Sequence, residues 1–234
     1  MGQNRQLLKL ISIVFIWFLL LDMAWAEDVA IIGNPENAVW EIYTNTSLIR
    51  CIAFSDDKKT IWVGTTGALE QKDATTGERI RLYTNLDGLP SNYVYALLSD
   101  KKGGVWVGTK EGLGYLSPTG FWTVYDTENS GLPDNTVYAL LADGIGGIWI
   151  GTDRGLVYLS SGGFWIVYDE LTESANHVSS LASDNNGGLW IGRVTKPLWV
   201  STGDLVHLFA DGSRTIYNDS NSSLPSDDVQ TLIS

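Results

Sequence analysis

Tyr93, Lys110, Glu111, Thr136, Arg154, His177 and Arg193 carry side chains suited to hold a small polar molecule, since each offers a donor or acceptor and each falls near a turn between apolar runs. Such groups around a concave mouth would orient a solute by hydrogen bonds, which is binding chemistry. Transformation chemistry has less to work with. The histidines are His177 and His207 and the sole cysteine is Cys51, so no cluster has zinc-ligand spacing and no intramolecular disulfide can form. The sequence holds no phosphate-binding glycine loop and no Gly-x-Ser-x-Gly elbow. Carboxylates are plentiful, but the most regular of them, Asp56, Asp100, Asp143 and Asp184, stand where turns are expected. No catalytic residue, metal ligand or cofactor is therefore assigned. The phrase Asp73 to Glu78 resembles a turn of quinone-dependent dehydrogenase propellers, but it occurs once and lacks their following tryptophan, so an ordinary hairpin is expected.

The elements that must position these residues come from a repeat. Ile61-Trp62-Val63-Gly64-Thr65 returns as Val105-Trp106-Val107-Gly108-Thr109, Ile148-Trp149-Ile150-Gly151-Thr152 and Leu189-Trp190-Ile191-Gly192, with tryptophans 44, 43 and 41 residues apart. A second marker, Leu-Pro, occurs at Leu89-Pro90, Leu132-Pro133 and Leu224-Pro225. An aspartate stands six residues before each repeat tryptophan, followed in three copies by a glycine pair. Asp accepts hydrogen bonds from its own turn and glycine supplies positive φ, so Asp-x-x-Gly-Gly predicts a hairpin.

Each repeat then reads as four short strands, for example Val94 to Leu98, the Trp106 phrase, Gly112 to Leu116 and Phe121 to Tyr125. Trp149 points to one face and Ile148 and Ile150 to the other, so both faces need cover. Neighbouring blades of a β-propeller supply it, and blades occupy this length range, whereas β-helix coils are shorter. The expected fold is all-β: a propeller of four-stranded antiparallel blades, about four in this chain. Trp62, Trp106, Trp149 and Trp190 are expected between blades rather than on a sugar-stacking platform. Outer-strand packing is the expectation for Trp122, Trp165 and Trp199.

Strand parity places the turns between strands two and three on the same face as the blade-to-blade loops. The seven polar candidates belong to that rim, around the channel mouth, while the repeated aspartates occupy the opposite face.

The N-terminus has Arg5 and Lys9 before an apolar run from Leu10 to Leu21 and then Ala24-Trp25-Ala26, the three parts of a secretory signal over residues 1–26. The run is shorter than the roughly 20 residues a spanning helix needs. The remainder, 27–234, divides into repeats at about 45–88, 89–131, 132–174 and 175–223, with 224–234 beginning a further blade. Trp40-Glu41-Ile42-Tyr43 reads as the last strand of another blade, so the expectation is a fragment of a longer protein. The 27 acidic against 15 basic residues give a net charge of −12, which sets nucleic acid aside as a partner. Export without a disulfide suits a bacterial periplasm or the extracellular space.

Gly131-Leu132-Pro133, Val137-Tyr138-Ala139-Leu140, Asp143, the Trp149 phrase and Gly155-Leu156 together resemble the two-component regulator propeller repeat. Residues 89–131 and 132–174 are near-complete copies, and the flanking copies are looser. Copy one lacks the glycine pair, and in copy four Arg193-Val194-Thr195-Lys196-Pro197 replaces the usual turn. The resemblance implies a seven-bladed periplasmic sensor region of a bacterial, often hybrid, histidine kinase. It also implies a small polar ligand such as an oligosaccharide, downstream signalling domains in the full-length protein, membrane attachment only through regions C-terminal to these blades, and a homodimer of the full-length receptor. A protein-binding scaffold and a carbohydrate-active lyase or glycosidase are the competing classes.

Overall fold

A computed structural model describes residues 47–168, 176–195, 203–227 and 229–232. The expected signal segment, the run from Trp40 to Tyr43, Lys196-Pro197 and Trp199 lie outside the described residues.

Among the described residues, sixteen strands form four antiparallel sheets, each a four-strand meander paired in sequence order. Blade 1 comprises β1 (Ile49–Phe54), β2 (Thr60–Thr65), β3 (Leu69–Asp73) and β4 (Arg79–Tyr83). Blade 2 comprises β5 (Val94–Ser99), β6 (Val105–Thr109), β7 (Gly112–Leu116) and β8 (Trp122–Tyr125). In blade 3 the strands are β9 (Val137–Ala142), β10 (Ile148–Thr152), β11 (Gly155–Leu159) and β12 (Trp165–Tyr168). In blade 4 they are β13 (Asn176–Ser183), β14 (Leu189–Thr195), β15 (Gly203–Leu208) and β16 (Arg214–Tyr217). The first strands of successive blades pack on one another, β1 on β5, β5 on β9 and β9 on β13, which makes them the inner strands of a propeller.

Hydrophobic packing lies between blades rather than within them, as the two-faced apolar strands demand. Trp62, Leu69 and Tyr83 of blade 1 meet Val94, Val105, Val107 and Leu116 of blade 2. Leu113 of blade 2 meets Val137, Ile148, Ile150, Val157 and Leu159 of blade 3, with Trp106 against the cluster. Ala139 and Leu156 of blade 3, with Trp149, meet Val178, Leu189, Ile191 and Val206 of blade 4. Full burial of one such aliphatic side chain contributes about 1.5–3 kcal/mol, so each blade depends on its neighbour. Trp122 also sits between blades, edge-on to Tyr83 at 5.9 Å.

The repeat glycine is the seat for the next blade. A Cβ on Gly151 would lie 2.5 Å from Val178 Cγ1 and 2.9 Å from the Val178 carbonyl oxygen. Gly108 meets Val137 and Gly192 meets Val229 in the same way, while Gly64 meets the Val94 side chain together with Cys51 Sγ. The Trp-x-Gly phrase thus recurs because a valine of the following inner strand enters where any side chain would stand.

The aspartate turns form as expected in three blades. Asp143 Oδ1 accepts from the backbone N–H of Ile145 at 2.8 Å and of Gly147 at 2.9 Å. Asp100 and Asp184 do the same in their turns. Blade 1 differs: the Thr60 N–H donates to Ser55 Oγ at 3.0 Å and the Lys59 N–H to Asp57 Oδ1 at 3.0 Å. Without the glycine pair this turn is one residue longer, and Asp56 accepts instead from Ser99 Oγ of blade 2 at 3.3 Å. The phrase Asp73 to Glu78 is the β3–β4 hairpin, with Asp73 Oδ1 accepting from the Thr75 and Thr76 N–H groups at 2.8 Å each.

Candidate functional site

Every inner strand carries one β-bulge at the same place, and the register identifies its extra residue. Ile49 pairs Thr65 and Cys51 pairs Gly64, leaving Arg50 over. Val94 pairs Thr109 and Ala96 pairs Gly108, leaving Tyr95. Tyr138 is left over between Val137 and Ala139, and Ser179 between Val178 and Ser180. A bulge re-aims its extra side chain, and here all four of them line a cavity of about 780 Å³.

Aromatic rings form a continuous arc around that cavity. Tyr93 lies 4.9 Å from Tyr95, Tyr95 lies 4.8 Å from Tyr138 and Tyr138 lies 4.7 Å from His177, centroid to centroid and all tilted. The Arg50 guanidinium lies over Tyr93 at 5.8 Å and Tyr95 at 5.3 Å, within cation–π reach. Burial holds the Tyr138 phenol above its ordinary pKa, aided by Asp153, and burial also raises Tyr95, with Tyr93 adding to it. Both phenols are therefore neutral donors at neutral pH. Ser179 closes the arc differently, its Oγ 2.6 Å from the Val229 carbonyl and 3.0 Å from that of Gly192.

Of the seven residues singled out in the sequence, Tyr93 and His177 line this cavity. Lys110, Glu111, Thr136 and Arg154 stand on the rim, as strand parity requires, but not in the lining. Their turns are fixed by backbone bonds: the Lys110 N–H donates to the Tyr93 carbonyl at 3.1 Å and the Asp153 N–H to that of Thr136 at 3.0 Å. Thr136 Oγ1 reaches the Lys110 carbonyl of the previous blade at 3.4 Å. Arg154 is exposed and lies 3.6 Å from Asp134.

Arg193 is a correction to the rim expectation. It is 5% exposed and its Nε and Nη2 donate to the two carboxylate oxygens of Asp204, each at 2.6 Å. In the other blades this position is a threonine whose hydroxyl locks the turn, as Thr152 Oγ1 does by donating to the Gly155 carbonyl at 2.9 Å. The β14–β15 hairpin of blade 4 runs on past that point through Val194, so the arginine becomes a strand residue paired across the hairpin with Asp204.

Sequence reasoning did not single out Tyr95 and Tyr138, which recur within Val-Tyr-Ala-Leu. The signal was in the looser copies, where the slot after the valine or its equivalent reads Arg50 and Ser179. No group of three or more His, Cys, Asp or Glu able to hold a metal ion occurs among the described residues.

Four meander sheets packed through their first strands define the blades of a β-propeller. Residues 88–111, 131–154 and 172–192 match the two component regulator propeller family. No curated protein matches the sequence. Among solved structures, the chain is similar to an extracellular domain of BT4673 from B. thetaiotaomicron, described as that of a hybrid two component system. The TM-score is 0.66 at 22% identity, covering 84% of this chain and 26% of that one. A second extracellular domain so described, BT3049 from the same organism, gives 0.65 at 21%, covering 87% and 26%. Virginiamycin B lyase from Staphylococcus aureus gives 0.55 at 18%, covering 76% and 58%. These likenesses establish the propeller fold, and the chain spans about a quarter of the two extracellular domains.

Proposed function

We propose that these blades are part of an exported sensor propeller whose channel binds a small polar ligand, such as an oligosaccharide, and whose occupancy is passed to a downstream histidine kinase. The observation that carries the reading is the arc of bulge residues, Arg50, Tyr95, Tyr138 and Ser179, aimed from four successive blades into one cavity. Bulges re-aim side chains and are frequent beside functional sites, and tyrosine faces with phenol edges suit ring-shaped polar solutes. The repeat family and the likeness to extracellular domains of two component systems support both export and signalling. No helix among the described residues is long and apolar enough to cross a membrane. Calorimetry against a panel of oligosaccharides tests the reading. A binder is expected, and Tyr138→Ala should abolish its heat while the protein stays folded; a binder indifferent to Tyr138, or none, rejects the channel as the sensor site.

A protein-binding scaffold is favoured by a different observation. Phe121 and Phe164 occupy the same turn in adjacent blades and are 75% and 74% exposed, with Ile145 exposed in the neighbouring aspartate turn. That face is opposite the rim. Replacing both phenylalanines by serine should leave channel binding intact and remove only protein association.

A further inference from the structure

We propose that the channel selects an anionic ring, a ligand with a carboxylate or similar oxo-anion on a cyclic body, with Arg50 as the residue that reads the charge. This rests on the channel being the ligand site. Acid outnumbers base in the chain, which carries a net charge of −12. The cavity departs from that balance: among the described residues its lining holds the guanidinium of Arg50 and no Asp or Glu.

Arg50 is also placed as a reader rather than as framework. It stands at the bulge slot of blade 1, where blades 2 and 3 have tyrosine. Its contacts among the described residues are the faces of Tyr93 and Tyr95, and no carboxylate pairs with it there. Stacking occupies the flat face of a guanidinium and leaves its in-plane N–H donors for a planar anion, which they meet two at a time. Arg193 and Arg154, by contrast, already have Asp204 and Asp134. The acids that act on the Tyr138 phenol, Asp153 and Asp134, are not in the lining. The ring of the ligand then has Tyr95 and Tyr138 as its platform, 4.8 Å apart.

Sugar acids and aromatic acids share this chemistry, and paired probes distinguish them. Calorimetry at low salt would compare digalacturonate with the neutral galactobiose, and 4-hydroxybenzoate with 4-hydroxybenzamide. The acid of at least one pair should bind about tenfold or more tightly than its neutral partner, the yield of one charge-assisted contact. Arg50→Gln should erase that preference without moving the thermal midpoint, because the side chain is exposed, and Arg50→Lys should keep part of it. Equal affinity within both pairs, a preference that survives Arg50→Gln, or no binding by any of the four overturns the inference. If galactobiose binds as well as digalacturonate and Tyr138→Ala abolishes both, the charge inference fails while the sensor reading stands. If the wider neutral panel is silent too, both fail.

Discussion

The Tyr158 phenol donates to Asp143 Oδ2 at 2.6 Å, while the other oxygen of the same carboxylate holds the Ile145 and Gly147 backbone N–H groups. The strand-three side chain is thereby tied to the turn between strands one and two. Blade 2 repeats the arrangement with Tyr115 and Asp100 at 2.5 Å, and blade 4 substitutes His207 with Asp184 at 2.9 Å. In blade 1, where the aspartate is displaced, Tyr83 reaches Gln71 instead.

These pairs make the propeller sensitive to alkali. The hydrogen bond to Asp143, with burial next, pushes Tyr158 up to about 12, and burial with the Asp100 bond does the same for Tyr115. An acid whose pKa is raised on folding stabilises the fold fully below its unfolded value, near 10 for tyrosine, and loses that contribution as pH rises through the folded one. Stability measured by urea midpoint should therefore fall between about pH 10 and 12. Tyr158→Phe should cost about 1 kcal/mol at pH 7 and flatten this decline, since the neutral-pH bond is gone already. A slope unchanged by the substitution would assign the alkaline loss elsewhere.

Gly151→Ala tests the interblade seat. The new methyl group would meet both Val178 Cγ1 and the Val178 carbonyl at under 3 Å. Overpacking of this kind costs about 1–3 kcal/mol. Val178→Ala in the same chain should recover only part of it, because the backbone oxygen remains in place. Full recovery in a denaturant double-mutant cycle would show that the side chain alone sets the seat.

The success of the repeat as a guide has the same origin as the failure to find the arc. Trp149, Gly151 and Asp143 recur because each performs a local task, between blades, in the seat or in the turn, and a local task leaves a periodic trace. The direction of Tyr138 depends on one unpaired residue in β9, which alternation along a strand cannot register: regular pairing would place the residue after Val137 opposite Gly151, not in the channel. Parity assigned Lys110 and Arg154 to the rim but could not say whether either enters the lining, and neither does. Arg193 was misread because it was taken as the first residue of the blade 4 turn, whereas the strand pairing runs on through Val194.

Arg193 and Arg154 should separate sharply when each is replaced by alanine. Removing Arg193 leaves the half-buried Asp204 carboxylate without its bidentate partner, a loss of up to about 3 kcal/mol that a thermal melt would display. Arg154 is 76% exposed at its side chain, and its contact with Asp134 is worth less than about 1 kcal/mol. Arg154→Ala should leave the melting temperature nearly unchanged. If it also leaves ligand affinity unchanged, Arg154 has no place in recognition. Equal melting temperatures for the two variants would contradict the buried pairing of Arg193.

Cys51 follows a similar logic on a different timescale. Burial pushes its thiol from 9.0 up to about 12, against smaller opposing effects from the Gly64 backbone and Arg50. At pH 8 an ordinary thiol is about one-tenth thiolate, whereas this one would be on the order of one in ten thousand, and only the thiolate alkylates. Iodoacetamide should therefore label the folded protein far more slowly than the urea-unfolded chain, with labelling of the folded form accelerating toward pH 12. The raised pKa also adds to the alkaline loss of stability, beginning near pH 9 rather than 10, so Cys51→Ala should shift the onset of that loss upward without altering the part set by Tyr115 and Tyr158. Rapid labelling of the folded protein at pH 8 would mean that the thiol is reached from the channel, whose lining Cys51 shares, and that burial does not protect it.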